Sequence, residues 1–272
     1  MIDNLKIVES DSILPVLENA LFQRSFLRLN EQEFALDVKD VAQYYVRDGK
    51  EIHFKVYEQS DKASVDLYLE GSVLGALLHQ RGILPFHGSS FLHKGKGIMI
   101  CGHSGVGKSS LTMSFCQKGD LLINDDISPV LIDQQNIVLL PLKTRIKLWD
   151  NTLEQLQIPS EGLTKIRPDM NKYYLEDLDT SKDHVVLDHL IILGVHNKSE
   201  FVETELKGTE KYNALRIQVY RRMYLKGMPK RERIYFKEML QLARQVKVTC
   251  LVRPQKIKIQ DVQARIKEII EK

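Results

Sequence analysis

Apolar and polar side chains alternate at period two over Ile52-His53-Phe54-Lys55-Val56-Tyr57, the pattern of a half-buried strand. Residues 34–38 and 42–46 carry similar strand signals, and Arg47-Asp48-Gly49-Lys50 supplies the turn of a hairpin. The period then lengthens. Val73, Leu74, Leu77 and Leu78 fall at helical spacing within residues 71–80, and Gly82 closes that helix. Residues 83–92 read as a strand entering a bend of small residues, Lys94-Gly95-Lys96-Gly97 as a turn, and 98–101 as a buried strand. A helix is predicted over 108–118, with Leu111, Met113 and Phe115 turned inward and Gly119 as its stop.

Residues 121–126 predict a second buried strand ending in two carboxylates, and 137–140 a third. A short helix over 151–156 and a polar, turn-rich surface excursion over 161–179 follow. Residues 185–187 and 190–195 resume the sheet, with 201–206 pairing beside them. Two helices divided near Gly227-Met228-Pro229 fill 212–242. A strand over 246–252 and an amphipathic helix over 259–270, with Val262, Ile266 and Ile269 on one face, close the chain. The pattern predicts an α/β fold with a mixed central sheet and flanking helices. It divides into a β-rich amino-terminal part, 1–70, and a main α/β part, 71–272.

Composition narrows the function classes. A chain of 272 residues can bury a substantial core. A formal charge of +3 gives no electrostatic case for a nucleic-acid partner. No apolar stretch approaches the length of a membrane helix, so no membrane partner is expected. Met1-Ile2-Asp3-Asn4 does not begin a secretory signal. Cys101, Cys116 and Cys250 lack zinc-ligand spacing and read as buried thiols in a reducing, cytoplasmic compartment.

The candidate chemistry starts at Gly102-His103-Ser104-Gly105-Val106-Gly107-Lys108-Ser109, a P-loop pattern placed between a predicted strand and a predicted helix. Its glycines let successive backbone N–H groups turn into an anion-sized hollow, and the helix start adds unpaired N–H groups, Ser110 among them. Lys108 is expected to reach the β- and γ-phosphates of ATP, and Ser109 to offer its hydroxyl to Mg²⁺. His103 contributes mainly backbone and faces solvent.

Asp125 and Asp126 end a predicted strand, where ligands bind in open α/β sheets. Neighbouring strand residues point to opposite faces, so the two carboxylates are expected to have different jobs. One would reach the metal or the attacking hydroxyl, and the other would hold a partner. Ser109 and Asp126 are the expected metal ligands. The short interval between Lys108 and Asp125 places the Asp125 strand next to the loop-bearing strand. His87, just upstream of that strand, is a candidate proton relay or partner to a carboxylate. Trp149 reads as a core residue, with a place on the lining of the nucleotide or acceptor pocket as the alternative. The basic residues Arg216, Arg221, Arg222, Lys230, Arg231 and Arg233 read as a solvated helix face, with a phosphoryl-steadying cation as the functional alternative.

His87-Gly88, the loop 102–109 and Asn124-Asp125-Asp126 together resemble the catalytic domain of HPr kinase/phosphorylase, and most closely the shorter HPr serine kinase-like proteins. The segment Leu77-Leu78-His79-Gln80-Arg81-Gly82-Ile83-Leu84-Pro85-Phe86-His87-Gly88-Ser89 carries the same likeness. The resemblance implies a P-loop-containing nucleotide-binding core like that of phosphoenolpyruvate carboxykinase. It implies ATP-dependent phosphoryl transfer to a hydroxyl, serine by that likeness, of a protein, peptide or small molecule. It further implies that Asp125 takes the proton from that hydroxyl, that Asp126 pairs with His87, and that Lys108 binds phosphate. The family's second signature, with its metal-ligating glutamate, is not recognisable after Asp126. Relatives form hexamers, which leaves a homo-oligomer open here. Nucleotide hydrolysis, carboxykinase-like chemistry and ATP binding without turnover are the alternative readings.

Overall fold

Strands β1 (Lys6–Glu9), β2 (Phe22–Arg24), β3 (Leu27–Leu29), β4 (Glu33–Val38), β5 (Ala42–Arg47) and β6 (Glu51–Val56) form a six-stranded sheet in the order β1-β6-β5-β4-β3-β2. The computed structural model describes residues 4–12, 14–15, 17–132, 136–142 and 145–272; Met1, Ile2 and Asp3, with which the expected amino-terminal part begins, lie outside them. The predicted hairpin joins β5 to β6. Asp48 (φ 52°) and Gly49 (φ 63°) both take positive φ, and the Lys50 N–H donates to the Arg47 carbonyl at 3.0 Å. Two positive φ angles let such a turn match the twist of its strands.

Helix α1 (Lys62–Tyr68), a π-helical turn over Leu69–Val73 and α2 (Leu74–Arg81) follow without a break. The helix begins at Lys62 rather than at residue 71, because the Asp61 carboxylate caps it by accepting the Ser64 N–H at 2.8 Å. Val65, Val73, Ala76 and Leu77 bury against Leu29, Phe34, Tyr44 and Ile52 of the first sheet. Gly82 ends the helix in the left-handed conformation, φ 74°.

The main part contains β7 (Leu84–Phe86), β8 (Gly88–His93), β9 (Lys96–Gly102), α3 (Lys108–Cys116), β10 (Leu121–Asn124), β11 (Ser128–Ile132), β12 (Ile137–Leu139), β13 (Ile146–Trp149), α4 (Asp150–Gln155), β14 (Lys172–Leu175), β15 (Val185–His196), β16 (Val202–Glu205), α5 (Gly208–Ile217), α6 (Pro229–Gln245), β17 (Lys247–Pro254) and α7 (Ile259–Glu271). A nine-stranded mixed sheet runs β10-β8-β9-β15-β12-β11-β7, with β17 on β15 and β16 on β17. Leu190, Met99 and Val248 pack on one face with Leu215, Tyr235, Met239 and Leu242 of α5 and α6. Ile98, Ile100, Ile191 and Leu193 pack on the other with Leu111 and Phe115 of α3 and Val262, Ile266 and Ile269 of α7. Burial on both faces explains why 98–101 reads as an unbroken apolar run rather than an alternating one.

Three expectations are corrected. First, β10 is not beside β9, because β8 lies between them, antiparallel to both. The tight turn at Lys94 (φ 48°) and Gly95 (φ 82°) zips β8 onto one edge of β9, so the strand after α3 reaches only the outer edge of β8. Second, residues 161–179 are not wholly a surface excursion: they include β14, paired with β13. Third, β16 pairs with β17 instead of with β15. Cys101 is buried, whereas Cys116 and Cys250 are half-buried, and all three are free. Among the described residues, no helix is long and apolar enough to cross a membrane.

Two core histidines make stability depend on pH. His79 of α2 is fully buried, donates through Nε2 to the Tyr220 carbonyl at 2.9 Å, and leaves Nδ1 without a hydrogen-bond partner. His189 of β15 lies 2.8 Å from the Thr249 hydroxyl. Burial lowers each to about 4. Between that value and the ordinary 6.5, the unfolded chain binds the protons that the folded chain refuses, so stability falls as pH falls through this window. At pH 5 the loss is roughly 2 kcal/mol per histidine. Denaturant melts at pH 7 and pH 5 check this: H79N should flatten the dependence, and an unchanged wild-type midpoint would contradict it.

Candidate functional site

β9 and β10 run in the same direction, so their carboxyl ends meet at one side of the mixed sheet, the side where open α/β sheets place ligands. From β9 the chain turns through residues 102–107 into α3. Gly102 is held at φ 137°, and a Cβ there would lie 2.4 Å from the Leu193 carbonyl oxygen. Val106 is buried beneath the loop, while His103, Ser104 and Gly105 are exposed. Ser104, Gly105, Gly107, Lys108, Ser109 and Ser110 line a cleft of 720 Å³, a volume within the range of small-molecule sites.

The buried Lys108 ammonium has an acceptor for each of its three hydrogens: the Gly102 carbonyl at 3.0 Å, the His103 carbonyl at 3.1 Å and His87 Nε2 at 3.2 Å. Burial pulls Lys108 below its ordinary pKa, with Asp126 and Asp125 pulling back. His103 is exposed, as expected, and its backbone carbonyl accepts from Lys108.

His87 sits between β7 and β8, held by its own N–H on the Gln218 carbonyl at 2.8 Å. Its Nδ1 lies 3.1 Å from the Asp126 carbonyl oxygen, and the network assigns the proton to that nitrogen, leaving Nε2 to accept from Lys108. Burial, helped by the Lys108 charge, lowers its pKa and keeps the ring neutral near pH 7. Tyr220 covers the ring at 5.7 Å between centroids. Tyr220 in turn lies against Gly75 of α2, where a Cβ would come within 3.0 Å of its ring. The long helix thus supports the site through one aromatic side chain.

The paired carboxylates do not point to opposite faces of a strand. β10 ends at Asn124, whose side chain donates to the Leu140 carbonyl at 3.0 Å and accepts the Leu142 N–H at 2.8 Å. Asp125 and Asp126 follow in a bend, with Asp126 at φ 70°, and both line the cleft. Their partners nonetheless differ. Asp125 accepts the Ser109 hydroxyl at 2.7 Å on one oxygen and the Lys147 N–H at 3.0 Å on the other. Asp126 accepts the Lys147 ammonium at 3.0 Å and lies 3.5 Å from His87 Nδ1. The loop hydroxyl expected to share a metal with Asp126 therefore sits on Asp125. Burial pushes Asp126 up, but Lys147 foremost outweighs it and holds the carboxyl below its ordinary range. Lys147 gains in the same way: burial opposes its charge, and Asp126 more than restores it. The Ser110 hydroxyl, expected to serve the nucleotide, contacts Thr152 Oγ1 at 3.1 Å and ties α3 to α4.

Several site residues escape the sequence reading. The β13–β14 pair forms one wall of the cleft and contributes Lys147, Trp149 and Lys172. Trp149 is 45% exposed on this wall, so the expected core position is corrected to the alternative one on the cleft lining. The signal was the alternation Ile146-Lys147-Leu148-Trp149, whose aliphatic members are buried in a separate core with Leu122 and Leu153. Arg253 of β17 also lines the cleft and donates to the Val106 carbonyl at 3.0 Å. Arg216, Arg221, Arg222, Lys230, Arg231 and Arg233 do not line it; Arg216 faces Glu232 at 3.7 Å.

The donor set can be tested against the implied ligands. Ser109 and Asp125 supply hard oxygens side by side, as Mg²⁺ prefers. Among the described residues, no cluster of three or more His, Cys, Asp or Glu could cage a metal.

No family model matches the chain, and no curated protein matches it. Among solved structures, the Hpr(Ser) kinase/phosphatase from Coxiella burnetii is similar, with a TM-score of 0.37 and 10% sequence identity over 68% of this chain and 94% of that one.

Proposed function

We propose that this cleft binds ATP with Mg²⁺ and transfers the γ-phosphoryl group to a hydroxyl of a protein, peptide or small molecule, in the manner of an HPr serine kinase-like phosphotransferase. The observation that carries this reading is the meeting, at one cleft, of the glycine-rich loop with Lys108, Ser109, Asp125, Asp126 and His87. The loop N–H groups and Lys108 would hold the phosphates. Ser109 and Asp125 would hold the cation, which supplies charge neutralisation to the phosphates when bound. Asp126, kept ionised by Lys147, would orient the acceptor hydroxyl and take its proton, with neutral His87 fixing the peptide behind it. A low-pKa carboxylate suits this role, because a loose transition state needs a placed acceptor more than a strong base. Pure nucleotide binding would leave the second carboxylate and its dedicated lysine without a use.

The two aspartates should separate experimentally. D126N should lower transfer of label from γ-labelled ATP to an acceptor panel by about 10²-fold or more, with ATP affinity within a few fold of wild type. D125N should instead raise the Mg²⁺ concentration needed for half-maximal ATP binding by roughly 10-fold. Unlabelled acceptors throughout a broad panel, with ATP bound and no phosphate released, would overturn the transferase reading. The reverse pattern between the two variants would overturn the division of roles.

A further inference from the structure

The directly opposed pairs Lys147↔Tyr174 and Trp149↔Lys172 lie two residues apart along β13, so all four side chains share one face of the β13–β14 pair. Ile146 and Leu148 take the opposite face and bury in the core beneath. The face that carries Lys147 and Lys172 is the wall of the cleft. Four cations line that cleft: Lys108, Lys147, Lys172 and Arg253. Three have oxygen acceptors at hydrogen-bond distance. Lys108 bonds two loop carbonyls, Lys147 bonds Asp126, and Arg253 bonds the Val106 and Pro254 carbonyls. Lys172 differs. Its ammonium lies over the Trp149 ring at 5.5 Å, and among the described residues no carboxylate comes within ion-pair distance of it. An anion in the cleft would give this half-buried ammonium the oxygen partner that the other three cations already have.

From this geometry we propose that Lys172 is a catalytic residue: the cation that contacts the transferring phosphoryl group, held in place by Trp149 and the β13–β14 pair. The proposal rests on the phosphotransferase reading of the same cleft. The chemistry it names is an anionic phosphoryl oxygen. An anionic group on the acceptor could offer similar chemistry, but the position favours the reacting centre. Lys172 lies diagonally across the β13–β14 ladder from Lys147, whose ammonium bonds Asp126, and both lysines line the cleft together with Lys108, Asp125 and Asp126. A fixed positive charge at the reacting centre acts chiefly where negative charge spreads over the phosphoryl oxygens during transfer.

The test compares Mg·ADP with Mg·ADP plus aluminium fluoride, a mimic of the transferring group, by calorimetric titration of the full chain. Wild type should bind the fluoride complex more tightly than ADP alone. K172M should bind Mg·ADP within about 3-fold of wild type and lose at least about 10-fold of the extra affinity for the fluoride complex. K172R should recover part of it, which separates charge from a packing defect. Equal tightening by fluoride in wild type and K172M would overturn the proposal, as would a K172M defect confined to the KM of an acceptor. Failure of wild type to bind Mg·ADP at all would overturn the underlying phosphotransferase reading instead.

Discussion

Replacing Lys108 with alanine should lower the affinity for Mg·ATP by about 10²-fold or more while the protein stays folded. The side chain is 7% exposed, and its ammonium is held at the mouth of the loop by two carbonyls and His87. All three partners converge from loop 102–107 and the β7–β8 junction, so the charge is fixed before any anion arrives. Charge-assisted hydrogen bonds are worth roughly 1.5–3 kcal/mol each. Phosphate oxygens would replace some of its present neutral acceptors, and the attraction between the ammonium and the phosphate charge, lost in K108A, accounts for the expected change. Stability should move little, since removing the lysine also removes the cost of burying its charge, which opposes the exposed loss of its three bonds. Titration with a non-hydrolysable ATP analogue and a thermal melt together check this. Near wild-type affinity in K108A would remove the loop from the account.

Gly102→Ala should be the most damaging single substitution at the site. The added methyl would stand 2.4 Å from the Leu193 backbone oxygen, and neither β9 nor β15 can yield because they are paired along this stretch. The residue would also be forced to φ 137°, a conformation that L side chains rarely adopt. The two effects together should cost roughly 3 kcal/mol or more, or a melting point lower by about 6–12 °C for a domain of this size. Gly105→Ala is the matched control. It is also held at positive φ, 80°, but a Cβ there meets nothing within 4 Å, so it should cost only about 1–2 kcal/mol. Equal melting points for the two variants would show that the contact with Leu193 is not what fixes the loop.

How much of this was readable in advance follows from how local each feature is. The loop, its strand and its helix are contiguous, and every glycine that shapes the turn lies within the motif, so residues 98–118 could be placed from sequence alone. The β5–β6 hairpin is equally local, set by Asp48 and Gly49. Sheet order is not local. The interval between Lys108 and Asp125 shows that one helix and one strand intervene, but not that the β8–β9 hairpin has already occupied the nearer edge. The orientation of the carboxylates failed for a different reason. Strand alternation holds only inside a strand, and β10 stops at Asn124, one residue before the pair, so the positive φ of Asp126 decides where that carboxylate points. Lys147 and Lys172 come from separate segments joined only by the β13–β14 ladder. Neither segment carries a motif. Only the alternation of buried Ile146 and Leu148 with Lys147 and Trp149 hinted that two polar positions would face a common cleft.

The central claim is that the triphosphate lies on the loop between β9 and α3 with its reacting end toward Asp125 and Asp126. Hydrogen–deuterium exchange of the full chain, with and without a non-hydrolysable ATP analogue and Mg²⁺, locates the ligand on the backbone directly. Peptides covering residues 102–110 should gain strong protection, those covering 124–127 and 146–149 should gain less, and the first sheet, β1 to β6, should not change. Protection that appears elsewhere, or none at 102–110 under saturating nucleotide, would contradict the account.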